Sequence, residues 1–318
     1  MSADLDKKVF VRDLKDKFNL IQLTGNEESL DRWIVAPDIN RPGLELTGYM
    51  RLNDLKRVTI IGTKEIEFIN TLDRDTQYAR FGIITDAYTP CIIISKTQEC
   101  PEVLRQIATE RNFPVFQSKE ETLRISVEVT AFLDEKLAPC EVFHGVMMNI
   151  YGIGVLLKGE SGIGKSELAL DLVRRGHMLV ADDCVEIYRI HNELKCTAPE
   201  LLKNMLEIRG IGIIDMTLVY GAVSCLDSCN LDFAIELKSF SSTTNIERNA
   251  LGVTDTIDIM GVEKPLIIVP VREGRALSVI IEAAVANFRL LQKGTDSEKE
   301  FHKRLEELIA KNEKEGGA

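Results

Sequence analysis

Near the middle of this 318-residue chain runs Gly159-Glu160-Ser161-Gly162-Ile163-Gly164-Lys165-Ser166, a complete G-x-x-x-x-G-K-[ST] phosphate-cradling loop. Such a loop constrains its neighbours, because it works only between a strand and a helix. Val155-Leu156-Leu157 ahead of it reads as a short buried strand. Behind it, Glu167-Leu168-Ala169-Leu170-Asp171-Leu172-Val173 spaces apolar residues as a helix does, with Arg174 and Arg175 in the last turn and Gly176 placed as a C-cap. In that arrangement free backbone N–H groups and the helix N-terminus face an anion, Lys165 reaches the outer phosphates and the Ser166 hydroxyl ligates magnesium. The chain is therefore expected to bind a phosphorylated nucleotide or something closely like it.

Chain-wide features narrow the class. A formal net charge of −11 and the lack of a basic tract argue against a general nucleic-acid binder. No apolar run approaches the ~20 residues of a membrane span. Met1-Ser2-Ala3-Asp4-Leu5-Asp6-Lys7-Lys8 lacks the apolar core of a signal peptide, so a cytoplasmic protein is expected. The 7 cysteines are scattered without a C-x-x-C pair, Cys225 and Cys229 being nearest, and read as idle thiols of a reducing cytosol.

The length suits one large or two medium domains. Residues 5–20 read as an amphipathic helix. Val58-Thr59-Ile60-Ile61 and Cys91-Ile92-Ile93-Ile94-Ser95 are β-branched runs, 102–111 is helical and Phe113-Pro114-Val115-Phe116 extended. Alternating strands and helices make residues 1–134 an α/β domain of uncertain role. A charged helix over 119–136 leads to a boundary near 133–139, and 135–318 is the second domain. There, 140–157 reads as a hairpin turning at Tyr151-Gly152 and leading into the loop.

Met178-Leu179-Val180-Ala181 reads as a strand ending in Asp182 and Asp183. If it neighbours the loop strand, its acids arrive at the phosphate end, one to bind magnesium through water and one to take a proton from an attacking hydroxyl. Residues 206–215 read as a strand with a glycine bend, or as a place where Glu207 meets the metal and the backbone approaches a ligand, with Arg209 between. The polar stretch 239–251 is either a solvated connection or a lid bringing Arg248 to a transferring phosphate. Leu266 to Val269 reads as a strand, followed by a turn with Arg272 and Arg275 suited to phosphate or carboxylate. Residues 276–291 form an apolar helix, and 297–315 a charged, amphipathic one.

Taken in order, 159–166, Asp182-Asp183, 206–215 and 270–275 resemble the bacterial HPr kinase/phosphorylase family, and Arg41-Pro42-Gly43-Leu44-Glu45-Leu46-Thr47-Gly48-Tyr49 resembles its amino-terminal segment. The resemblance covers nearly the whole chain. It implies an enzyme that phosphorylates a regulatory serine of the phosphocarrier HPr with ATP or pyrophosphate, and removes the phosphate by phosphorolysis, giving pyrophosphate. It further implies a catalytic domain with a PEP carboxykinase-like nucleotide core, a homohexamer, Mg2+, a fructose 1,6-bisphosphate effector and a role in carbon catabolite control. Carried over, the backbone of 159–166 and Lys165 hold the β-phosphate, and Ser166 with Glu207 forms the magnesium pair. Asp183 is the carboxylate that exchanges a proton with serine, supported by Asp182. His144, which by itself reads as a structural histidine on the hairpin, becomes an active-site residue. Arg248 steadies the transferring group, while Arg272 and Arg275 serve phosphorolysis. Two places depart from the family pattern: Glu273 stands where proline is expected, and the sequence around Arg248 is shifted.

Two other readings remain open on the residues themselves. A small-molecule or PEP carboxykinase-like kinase would need a closed metabolite pocket and no protein partner. A non-catalytic nucleotide sensor would tolerate loss of Asp183. The guanine-reading N-K-x-D motif is absent.

Overall fold

The computed structural model describes residues 7–49, 56–239, 255–272, 274, 276–295 and 297–315. The chain divides into two compact units, Met1–Pro139 and Cys140–Ala318, both mixed α/β.

The first unit is built on a five-stranded sheet in the order Ile21–Thr24, Val115–Gln117, Ile92–Ile94, Val58–Ile61, Ile39–Asn40. The first pairing is antiparallel and the others parallel. Val58, Ile60, Ile93 and Phe116 pack on one face with Val11 and Leu14 and with Ile125, Val129 and Leu133. Ile61, Ile92, Ile94 and Val115 pack on the other with Phe81, Leu104 and Ile107. Burial on both faces is why these strands read as unbroken apolar runs. The helix expected over 5–20 is shorter: Val9–Phe10 pairs with Trp33–Ile34, and the helix spans Val11–Lys17. The Asp13 carboxylate accepts a hydrogen bond from the Phe10 N–H at 3.0 Å and fixes that start.

The second unit has three layers. A six-stranded sheet runs Met178–Ala181, Val146–Ile150, Ile153–Gly159, Phe233–Ser239, Val262–Val271, Asp255–Ile259. Helices Lys165–Arg174 and Leu277–Gln292 cover one face, where Leu168, Leu172, Ile281 and Val285 meet Val155, Leu157, Phe233 and Ile235. An antiparallel sheet covers the other, in the order Ser228–Asn230, Glu193–Thr197, Cys184–Ile190, Cys140–His144. Between the sheets Leu156, Met147 and Ala234 meet Val185, Ile187 and Leu194. The sheets approach closely at Gly154, where a Cβ would stand 1.8 Å from the Asn230 carbonyl.

Three expectations are corrected here. Val146–Ile150 does pair with Ile153–Gly159 across Tyr151-Gly152, both at positive φ (54° and 84°) as a tight hairpin turn requires. Cys140–His144, however, belongs to the second sheet, paired with Cys184–Ile190, so His144 is not on that hairpin. Met178–Ala181 does not neighbour the loop strand, because Val146–Ile150 lies between them. Both outer strands run antiparallel to that middle one, so their C-terminal ends still share an edge. Finally, the stretch expected as one bent strand is a hairpin of Met205–Ile208 with Gly212–Asp215. Beyond it, Ser297–Glu315 is a single helix. Among the described residues no helix is long and apolar enough to cross a membrane.

Candidate active site

Strand Ile153–Gly159 ends at the glycine loop, and helix Lys165–Arg174 begins at its lysine. Lys165 is 7% exposed, and its Nζ donates to the carbonyls of Gly159 (2.9 Å) and Glu160 (3.2 Å). The ammonium therefore spans the loop from inside, held where a phosphate oxygen would compete for it. Arg209, at the turn of the hairpin, lies across the loop: a Cβ on Gly162 would stand 3.0 Å from its Nη1.

The two acids leave the end of their strand in different directions. Asp183 has φ 63°, a left-handed conformation that aspartate tolerates better than most residues. The kink turns Asp182 inward and Asp183 outward. Asp182 is 6% exposed and accepts the Ser166 hydroxyl at 3.0 and 3.1 Å and the Glu207 N–H at 3.1 Å. Burial raises its pKa, against those two hydrogen bonds. Asp183 is exposed, and its Oδ1 lies 2.9 Å from His144 Nδ1. The Asp183 carbonyl is 3.1 Å from the same nitrogen. Two acceptors at Nδ1 put the ring proton there.

His144 and Asp183 occupy equivalent places. At His144-Gly145 the chain passes from the four-stranded sheet into the six-stranded one, and at Asp183 it passes back. The crossings run side by side, with His144 opposite Cys184 and the Gly145 N–H donating to the Asp183 carbonyl at 3.2 Å. Periodicity within one strand gives no sign of this pairing across 39 positions.

One cleft gathers most of the residues singled out from sequence. His144, Lys165, Ser166, Asp182, Asp183, Glu207 and Arg209 line it, with Ser161, Gly162 and Gly164 of the loop and with Glu167, which sequence reasoning passed over as ordinary helix. Arg272, just after strand Val262–Val271, is exposed and does not line it. Arg248 and Arg275 lie outside the described residues. Among those described, no group of three Asp, Glu, His or Cys side chains forms a metal cage. The oxygen donors Ser166 and Asp182, with Glu207 beside them, suit instead an ion such as Mg2+ that completes its shell with phosphate and water.

Comparison with known proteins agrees along the chain. Residues 9–133 match the family described as HPr Serine kinase N terminus, and residues 135–305 the family described as HPr Serine kinase C-terminal domain. The HPr kinase/phosphorylase of Streptococcus thermophilus (strain ATCC BAA-491 / LMD-9) is 42% identical over 306 residues, covering 96% of this chain and 98% of its own. That of Lactobacillus gasseri is 42% identical over 303 residues, covering 95% and 94%. A solved structure of the Hpr(Ser) kinase/phosphatase from Coxiella burnetii is 32% identical and covers 48% of this chain and 99% of its own, at a TM-score of 0.44.

Proposed function

The chain belongs to the HPr serine kinase family, and from that premise we propose how its residues carry out phosphoryl transfer. It is an HPr serine kinase/phosphorylase, adding phosphate to a serine of HPr and removing it again. The donor is ATP or pyrophosphate, bound by the backbone of 159–166 with Lys165 on the β-phosphate. Ser166, Asp182 and Glu207 hold Mg2+, which when bound neutralises charge on the phosphate oxygens.

Asp183 is the proton acceptor. The His144 Nδ1–H occupies Oδ1, which leaves Oδ2 to face the serine hydroxyl. As the serine oxygen bonds to the terminal phosphorus and the bond to the bridging oxygen breaks, the hydroxyl proton passes to Asp183. In reverse, an oxygen of inorganic phosphate attacks the seryl phosphorus, pyrophosphate forms on the loop and Asp183 returns the proton to the departing serine oxygen. Asp182, turned inward, has no part in this proton transfer; it orients Ser166. Arg209 against Gly162, and Arg248 on its polar stretch, are assigned to the transferring phosphoryl group, and Arg272 and Arg275 to phosphorolysis. By the family resemblance, the assembly is a cytoplasmic homohexamer with fructose 1,6-bisphosphate as effector, serving carbon catabolite repression.

The observation that carries this reading is the His144–Asp183 contact at 2.9 Å, in the same cleft as Lys165 and Ser166. The test is transfer of labelled phosphate from ATP and magnesium to HPr, then addition of inorganic phosphate with detection of pyrophosphate. Asp183→Asn should lower both rates by roughly 100-fold or more while leaving ATP binding intact. Loss of one direction with the other intact would rule out a shared carboxylate.

A further inference from the structure

Every residue of the cleft lies in the second unit, yet the first unit gathers a charged patch that nothing near it balances. Strand Val9–Phe10 pairs with Trp33–Ile34, which sets Phe10 opposite Trp33. Val9 and Ile34 turn into the core, so by strand alternation Lys8, Phe10 and Trp33 share the outward face. Trp33, the single tryptophan of the chain, is 37% exposed there. The next residue but one, Val35, donates its N–H to the Lys56 carbonyl at 3.4 Å and brings a second lysine to the same ring. Lys56 Nζ stands 3.4 Å from the ring centre and Lys8 Nζ 4.9 Å, so one anion can touch both.

The acids beside these strands are already engaged: Asp31 pairs with Arg12 and Asp38 with Arg57. Among the described residues Lys8 and Lys56 meet no carboxylate. A third cation adds to the field. Arg32 donates to the carbonyls of Pro90 (3.0 Å), Asp86 (2.8 Å) and Thr89 (2.6 Å), while the Asp86 carboxylate accepts from the N–H groups of Tyr88 and Thr89. Burial lowers the Lys56 pKa, and the charges of Arg32 and Lys8 lower it further. Covering the indole needs only the apolar stems of the two lysines; their gathered charge goes beyond that task. We propose that Lys8 and Lys56, set against the Trp33 ring, bind a phosphate monoester. Such a group carries close to two negative charges at pH 7 and three acceptor oxygens, enough for both ammoniums, whereas one carboxylate leaves an ammonium over. The site belongs to the first unit and stands whether or not HPr is the acceptor.

With one tryptophan in the chain, its emission reports on this ring alone. The test titrates the full chain with glycerol 2-phosphate, first alone and then with saturating ATP and magnesium to fill the phosphate loop. Trp33 emission should change saturably, and equally, in both titrations. The Lys8→Gln/Lys56→Gln double variant should bind about tenfold more weakly or worse, and Lys8→Gln alone, at an exposed position, about threefold more weakly. Lys8→Arg/Lys56→Arg, which keeps both charges, should stay within about threefold of the native chain. Acetate and chloride at matched ionic strength should give no saturable change. A covering role for the lysines predicts a lower melting temperature in the Gln variants and no phosphate response in any chain. The proposal is overturned by that result, by an equal response in native and Gln variants, or by loss of the response once ATP fills the loop. It is also overturned if a glutamate hexapeptide changes the emission and the phosphate monoester does not, which would make the patch a seat for an acidic protein.

Discussion

Asp182 carries its charge against its surroundings. Burial raises its pKa from 3.8, the Glu207 N–H and the Ser166 hydroxyl oppose the shift, and the charge of Asp183 adds to it. The sign follows from proton counting: between 3.8 and the raised folded value the folded state holds more proton than the unfolded one, so stability falls as pH rises through that window. Asp182→Asn keeps the shape without the charge. It should melt a few degrees higher than the native chain at pH 7 and lose that advantage below pH 3.8, while phosphoryl transfer falls by about 100-fold. Thermal melts at both pH values check the first half and the HPr assay the second. At this scale Lys165 and Ser166 were legible, because the loop that uses them is contiguous. The bond between Ser166 and Asp182 was not, since it depends on a kink at Asp183 that no residue type announces.

Elements were legible where a face or a turn left a mark on the sequence. The fully buried strand Ile92–Ile94 is three isoleucines, and Tyr151-Gly152 punctuates a hairpin. Sheet membership left no such mark: Cys140–His144 and Val146–Ile150 are separated by Gly145 and lie in different sheets. What divides them is the partner each finds, which is a non-local fact. The closest approach of the two layers gives a test at this scale. Gly154→Ala places a methyl 1.8 Å from the Asn230 carbonyl oxygen, a backbone atom that no rotamer change can move aside, so strand Ser228–Asn230 must move. We expect a loss of about 2 kcal/mol or more in a urea titration, and a larger fall in transfer rate than in ATP affinity, because the layers also position His144 and Asp183.

Each of the two units owns its core. Ile60, Ile93 and Phe116 with Ile61 and Ile92 fill the first, and Leu157, Phe233 and Leu156 fill the second. A fragment of residues 140–318 is therefore expected to fold and to bind ATP within about threefold of the full chain, as titration calorimetry would report. The division was visible in outline as a charged helix ending near a proline, Thr122–Leu137 before Pro139. The three-layered build of the second unit was not, because its second sheet is assembled from strands far apart in sequence. The two side-by-side crossings have a consequence for motion. The Gly145 amide is bonded to the Asp183 carbonyl, so its proton can exchange with solvent only when the crossings part, the same event that separates His144 from the base. Deuterium uptake at Gly145, followed while the chain is warmed, should accelerate together with the loss of transfer and ahead of uptake at Leu156, deep between the layers. The enzyme would then fall silent by the unzipping of one seam, well before it melts.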